Sequence, residues 1–358
     1  MRHEAFWRGR RVFLTGHTGF KGGWLALMLA RAGALVHGYA LAPPTEPNLF
    51  TAAGVQAALA SHVVGDVRDA AALSRALHRA DPEVVFHLAA QPLVRSSYLA
   101  PAETFSVNVQ GTVHLLDAAR DSPGVRAIVN VTSDKCYAND GSARARREDD
   151  ALGGHDPYSS SKAASELVTA AYRDSYFAAR NVGVATARAG NVIGGGDWAE
   201  DRLVPDFFRA LDAGRPLPVR HPDAVRPWQH VLEPLTGYLL LAEALHAEPS
   251  RFAGAWNFGP DATDARPVAW LLDRLATDHR TASWQREPGE HPHEASMLLL
   301  DSTKAQTQLG WQPRTALAEA LQRTAEWHAA WHRGDDLRAL TEAQIEAHAL
   351  PDAQRAAA

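Results

Sequence analysis

The chain has 358 residues, 46% of them hydrophobic and 22% charged, with a net charge of −5, the make-up of a globular protein long enough to bury a sizeable core. The negative balance and the scattering of arginines among acids give no basic field for nucleic acid or an anionic membrane surface, so neither is expected as a partner. A single cysteine, Cys136, excludes an intrachain disulfide, charges interrupt the N-terminal apolar residues, and no run approaches ~18 apolar residues; the expectation is a cytoplasmic protein.

In chain order, the apolar runs RRVFLTG (10–16), LVHGYAL (35–41), HVVGDV (62–67), VVFHLAA (84–90), RAIVNVT (126–132) and VGVATARA (182–189) predict strands. Helix-period segments near 20–32, 69–80, 102–121 and 158–179 separate them. This alternation predicts an α/β fold built on a Rossmann-type doubly wound parallel sheet. Strand ends at Gly16–Gly19, Ala89–Gln91 and Ser133–Lys135 should converge, because ligands bind outside the carboxyl ends of such strands. Beyond Gly190 proline, glycine and tryptophan become frequent, and helices near 231–247, 266–278 and 316–334 are joined by irregular segments. We therefore expect a dinucleotide-binding domain over 1–190, with 231–260 returning to it. A smaller mixed α/β substrate-binding lobe is expected from 191–230 and 261–358, ending in a helix and a frayed tail from Arg338 onward.

Gly16, Gly19 and Gly22 follow a predicted strand and open a predicted helix, in FLTGHTGFKGGWLALML. Glycine there lets backbone N–H groups and the helix N-terminus approach a pyrophosphate. Asp66, ending the third strand, suits an adenine amino group and equally suits a helix cap. The second strand ends in Tyr39, Ala40 and Leu41, with neither an acid for ribose hydroxyls nor an arginine for a 2′-phosphate.

Lysine is almost excluded from this arginine-rich chain: the only four are Lys21, Lys135, Lys162 and Lys304. An ammonium, unlike a guanidinium, can lose its proton when desolvated. Tyr158 and Lys162, in YSSSK, stand one turn apart on a predicted helix. A nearby ammonium and a cationic nicotinamide would stabilise the phenolate enough for it to take a hydroxyl proton.

TGxxGFxG, HLAAQ (87–91), Asn108 in SVNVQGT, YxxxK and RAGNVIG together resemble the extended short-chain dehydrogenase/reductase family over essentially the whole chain. TGHTGFKGGW, AAQPLVRSSY, TSDKCY, GGGDWAEDRLVPD, RPWQHV and PHEA are similar to the 4,6-dehydratases in it that act on CDP-glucose. The resemblance implies an NAD-dependent lyase that oxidises C4 of a nucleotide-linked glucose, eliminates water across C5 and C6, and returns hydride to C6. Cofactor contacts are then expected from Gly16, His17, Gly19, Phe20, Lys21, Gly22, Asp66, Val67, Leu88, Ala89, Ala90, Asn108, Tyr158 and Lys162. Where relatives use an Asp–Glu pair or a glutamate, this chain has Ser133, Asp134 and Lys135. The expected roles are Asp134 as acid toward the C6 hydroxyl, neutral Lys135 as C5 base and Ser133 as a hydrogen-bond partner of the C4 oxygen. A loop salt bridge between Asp134 and Lys135 is the plain alternative, disfavoured if the segment is extended, since adjacent side chains then point apart.

On the substrate side, Arg202 and Arg226 are expected at the pyrophosphate, Gln91 and Arg95 at the hexose, Asn191 as a further contact, and His293 closing over the nucleotide. No metal is expected: His291, His293 and Glu294 do not share a helical face, and hydride chemistry needs no zinc. A homodimer or homotetramer is expected, with helices 102–121 and 158–179 resembling the pair that forms the family's interface. The rivals are a 4-epimerase or another 4,6-dehydratase of the family, and, from a different class, a non-catalytic dinucleotide-sensing protein. The first has no use for Asp134 and Lys135, and the second none for Tyr158 and Lys162.

Overall fold

The computed structural model describes residues 4–139, 141, 144–277, 282–289 and 298–349. In chain order its strands are β1 (Arg11–Thr15), β2 (Leu35–Ala40), β3 (Ser61–Val64), β4 (Val84–His87), β5 (Ala127–Val131), β6 (Gly183–Ala189), β7 (Asn191–Ile193), β8 (Leu217–Val219), β9 (Val225–His230), β10 (Gly254–Phe258), β11 (Ala265–Pro267) and β12 (Trp284–Arg286). Seven of these form one sheet in the order β10-β6-β5-β4-β1-β2-β3, with every neighbouring pair parallel. The chain leaves β1 toward β2 and β3, then returns to place β4 on the other side of β1. That reversal opens a crevice at the carboxyl ends of β1 and β4, where a doubly wound sheet binds its ligand.

Side-chain alternation explains why the sheet is covered on both faces. Val12 and Leu14 of β1 enter one apolar cluster, with Trp24, Leu25, Trp256 and Trp327, while Phe13 enters the other, with Leu73, Leu115, Leu116 and Phe177. β4, β5 and β6 are buried along their whole length, which is why they read as largely apolar runs, broken only by the buried His87, Asn130, Thr186 and Arg188. The second lobe carries the small sheets β11-β9-β7 and β12-β8 around its own core of Phe207, Phe208, Trp228, Leu271 and Leu321. β10 and the Leu232–Ala247 helix lie with the large sheet, β10 pairing with β6 and the helix lending Leu235, Tyr238 and Leu241 to its core. Among the described residues no helix is long and apolar enough to cross a membrane.

Two helices are less regular than their periodicity predicts. The segment 102–121 is a Pro101–Phe105 helix, a π-turn at Ser106–Gln110 and a Gly111–Arg120 helix. Within that turn Asn108 is held by contacts from outside the helix, and the Thr112 hydroxyl donates to its carbonyl at 2.7 Å. The helix expected over 158–179 is regular over Pro157–Tyr172 and widens into a π-turn at Arg173–Phe177. Of the tail, Leu337–Ala349 is helical.

Candidate active site

The glycine turn lies at the β1–β4 crevice, and its spacing is enforced by contact. Gly16 has φ +77°, and a Cβ there would stand 2.7 Å from the Ala89 nitrogen; a Cβ on Gly22 would stand 2.1 Å from the Gly16 carbonyl oxygen. No side chain caps the Phe20–Arg31 helix that begins here, so its first N–H groups face the crevice as anion donors. Opposite them, the Leu88 and Ala89 N–H groups both donate to the Thr15 hydroxyl, at 3.1 and 3.2 Å, tying β4 to β1. A backbone cradle that any Cβ would fill, under an uncapped helix end, fits a dinucleotide pyrophosphate.

Around this cradle several expected cofactor contacts face inward. The His17 ring is fully buried, 2.7 Å from His62 and edge-on to Phe50, and burial together with His62 lowers its pKa to about 4. Contact with a ligand is left to its backbone. Asp66 is held by Arg68 at 2.6 Å and accepts from the Arg68 N–H at 2.8 Å. The helix cap considered for Asp66 is instead Asp69, which accepts from the Ala72 N–H. Val67 is buried against Gly111, and its carbonyl oxygen lies 2.9 Å from His114. Asn108 is an internal brace: its amide clamps the Gln91 backbone from both sides, at 2.9 and 3.1 Å, and reaches Ser161 at 2.8 Å. Ala90, between β4 and this clamp, is half-buried, as is Phe20 at the helix start.

At the end of β5, residues 133–135 depart from the expected extended segment. Asp134–Cys136 form a 3₁₀ turn capped by Ser133, whose hydroxyl accepts from the Lys135 N–H at 3.2 Å and donates to Asp134 Oδ1 at 3.0 Å. The argument that neighbouring side chains diverge therefore fails, and Lys135 is the leading positive charge acting on Asp134. The Asp134 carboxyl is buried, and among the described residues Oδ2 has no hydrogen-bond partner. Burial raises its pKa despite Lys135, Ser133, Arg226 and Lys21, which favours a carboxylic acid with a proton to give. Cys136, fully buried against Tyr137 and Ala163, has its thiol pushed up by desolvation and is packing.

Tyr158 and Lys162 project from the Pro157–Tyr172 helix, which Asp156 caps through the Ser159 N–H at 2.9 Å. Burial pushes the Tyr158 phenol up to about 12, opposed by a hydrogen bond with Ser133. Lys162 donates to the Val131 carbonyl at 3.2 Å, and desolvation lowers its pKa to about 8 even though Glu166 pulls it up. Lys21 is lowered to about 8 as well, by desolvation and then by Arg202, against the pull of Asp134. Two of the chain's four lysines, Lys21 and Lys135, thus act on one buried carboxyl, and Lys162 acts on Lys21 beside it.

Of the expected substrate contacts, Arg202 and Arg226 reach this centre. Arg202 precedes the Leu203–Asp212 helix, pairs with Asp197 at 2.8 Å and acts electrostatically on Tyr158 and Lys21; the buried Arg226 acts on Asp134. Asn191 opens β7 half-buried. Gln91 is turned away from the crevice by its bond to Thr104 at 2.8 Å and by accepting from the Leu93 N–H at 2.6 Å. Arg95 is half-exposed and bridges to Asp201 of the second lobe at 2.5 Å. His293, with His291 and Glu294, lies outside the described residues.

The residue most plainly missed from sequence is Glu166. Its carboxylate is buried, forms an ion pair with Arg188 at 2.8 Å and accepts from Thr186 at 2.6 Å and from Thr132. The signal was its place four residues after Lys162, on the same helical face. Tyr238, buried on the Leu232–Ala247 helix near Tyr158 and Asp134, was also missed.

Residues 12–259 match the model of the NAD dependent epimerase/dehydratase family. The chain is 49% identical over 348 residues to the CDP-glucose 4,6-dehydratase of Salmonella typhimurium, covering 96% of this chain and 97% of that one. It is 31% identical over 260 residues to a dTDP-glucose 4,6-dehydratase of Streptomyces griseus, covering 70% and 74%. Among solved structures, MoeE5 in complex with UDP-glucose and NAD superposes with a TM-score of 0.76 at 25% identity, over 90% of this chain and 99% of that one.

Proposed function

This chain belongs to the NAD dependent epimerase/dehydratase family, and from that premise we propose that it is a hydro-lyase converting CDP-glucose into CDP-4-dehydro-6-deoxyglucose. The observation that carries the reading is the trio at the end of β5: a buried carboxyl with a raised pKa between a lysine and the serine that hydrogen bonds Tyr158. When bound, NAD supplies the oxidation at C4 and the later reduction at C6.

Tyr158 takes the C4 hydroxyl proton. Its phenol, held near 12 by burial, needs the positive charge of the nicotinamide ring and of Lys162 to do so at neutral pH. Ser133 holds the C4 oxygen beside it. With C4 a ketone the C5 hydrogen becomes acidic; Lys135 removes it as the neutral amine, and Asp134 gives its proton to the C6 hydroxyl, which leaves as water. Lys135 then returns a proton to C5. Arg202 and Arg226 hold the diphosphate, and Gln91, turned from the crevice toward Thr104, leaves hexose recognition to Ser133, Tyr158 and Asn191. A 4-epimerase needs no acid and base at C5 and C6, so the trio favours dehydration.

Incubation of the purified protein with CDP-, dTDP-, UDP- and GDP-glucose tests this by the alkaline chromophore of a 4-keto-6-deoxy product. Product should form fastest from CDP-glucose; a 4-epimerised sugar as the sole product, or no product from any of the four, refutes the proposal. We further assign the chain a homodimer through the 102–121 and 158–179 segments, which expose Phe105 and Leu167 at 39% and 62%. We further propose a cytoplasmic location, which the lone buried thiol supports, and recovery of the protein from medium or membranes on fractionation would contradict it.

A further inference from the structure

Where the Leu203–Asp212 and Leu317–Arg333 helices meet, three side chains point at one spot. His328 and His332 occupy consecutive turns on one face of the Leu317–Arg333 helix, and Asp212 is the last residue of the Leu203–Asp212 helix packed beside it. The two histidine Nε2 atoms are 3.1 Å apart, and Asp212 Oδ1 lies 2.9 Å from His332 Nε2 and 3.4 Å from His328 Nε2. Three ligand atoms on a tetrahedral zinc-type ion, with bonds of about 2.0–2.1 Å, are separated by roughly 3.3 Å. The triangle here has that size.

Protons alone do not satisfy it. With both Nε2 atoms protonated the two N–H groups collide across 3.1 Å. With either one bare, a nitrogen lone pair faces the carboxylate. With Asp212 ionised, every assignment leaves one repulsive edge, whereas a cation between the three atoms makes all three attractive. The field points the same way, because Asp212 and His332 stand at helix C-termini, where backbone carbonyls already concentrate negative charge. The rings are also held in place: His328 stacks on Phe208 at 4.1 Å and 23°, and meets His332 edge-on at 4.7 Å. With side-chain exposures of 47% for His332 and 34% for Asp212, the spot is open to an ion from solution.

We propose that Asp212, His328 and His332 form a binding site for one divalent transition-metal ion of the zinc type, which fastens the Leu203–Asp212 helix to the Leu317–Arg333 helix. Imidazole with carboxylate suits Zn²⁺, Co²⁺ or Ni²⁺ rather than Mg²⁺ or Ca²⁺. The ion is structural and takes no part in sugar dehydration.

The test is calorimetric titration of Zn²⁺ into the tag-free, chelator-stripped full chain, alongside His332→Ala and Asp212→Asn. The first removes a half-exposed ring and the second keeps the carboxylate's shape, so both variants should fold. Wild type should take up one equivalent with a rise in unfolding midpoint. Each variant should bind at least about tenfold more weakly and lose that rise, while turning over CDP-glucose at the wild-type rate. Co²⁺ should give the visible spectrum of a tetrahedral nitrogen–oxygen site in wild type only. No Zn²⁺ uptake by wild type, or equal uptake by wild type and both variants, overturns the proposal.

Discussion

Gly22→Ala probes the cofactor cradle most directly. The added methyl would stand 2.1 Å from the Gly16 carbonyl oxygen and 2.8 Å from the His17 Cα. A carbon–oxygen contact settles near roughly 3.3 Å, so the turn and the helix start must separate by about 1 Å. Misplacing a binding group by about that distance costs ~10²-fold, or about 2.8 kcal/mol, and the crowding should lower folding stability by about 1–3 kcal/mol. Titration calorimetry with NAD, run with thermal unfolding of the same samples, reads both effects. Gly19→Ala is the control, since Gly19 has φ −82° and its added Cβ would lie 3.4 Å from the Gly16 oxygen, an ordinary contact. It should unfold like wild type, and any loss of NAD affinity then reports the approaching pyrophosphate alone. Wild-type NAD affinity in folded Gly22→Ala would refute the cradle.

Asp134→Asn and Lys135→Arg should each lower product formation by about 10²–10⁴-fold with NAD affinity unchanged. In Asp134→Asn reduced nicotinamide should build up, seen by its near-ultraviolet absorbance, because oxidation at C4 precedes the step that needs the acid; unchanged turnover in either variant would sink these roles. Lys162→Met should abolish activity and change the pH dependence of stability. Lys162 falls from its ordinary 10.5 to about 8 in the fold, so between those values the unfolded chain binds more protons and the group's contribution to stability rises with pH. The stability of wild type relative to Lys162→Met should therefore climb from about pH 8 to 10.5 in denaturant titrations, and a flat difference would contradict the buried ammonium. Leu167→Glu should convert the dimer to monomer in sedimentation; a variant that sediments as wild type would place the interface elsewhere.

Residues whose partners lie close in sequence were the legible ones. Gly16, Gly19 and Gly22 reveal the turn because steric need and spacing sit in one segment, and the apolar runs of β1, β2, β4, β5 and β6 mark the parallel sheet because both of its faces are covered. The Ser133–Lys135 turn was misread as extended because the feature that curls it is one hydroxyl accepting the N–H two residues on. Gln91 and Asn108 show the opposite limit. Polar residues at a strand end and in a helix read as ligand contacts, yet the Asn108 amide is taken up by the Gln91 backbone 17 residues away and the Gln91 side chain by Thr104 and the Leu93 N–H. Asp212 and His332 are 120 positions apart, so only the folded lobe brings them together.

The Glu166–Arg188 pair bears on how this scaffold can diverge. Both side chains are 3% exposed, so exchanging one alone strands an unneutralised charge in the interior at about 3–5 kcal/mol, a large fraction of a typical folding margin. A change at one of the two positions therefore calls for a matching change at the other. While the pair holds, the helix that carries the tyrosine and lysine stays anchored to its strand.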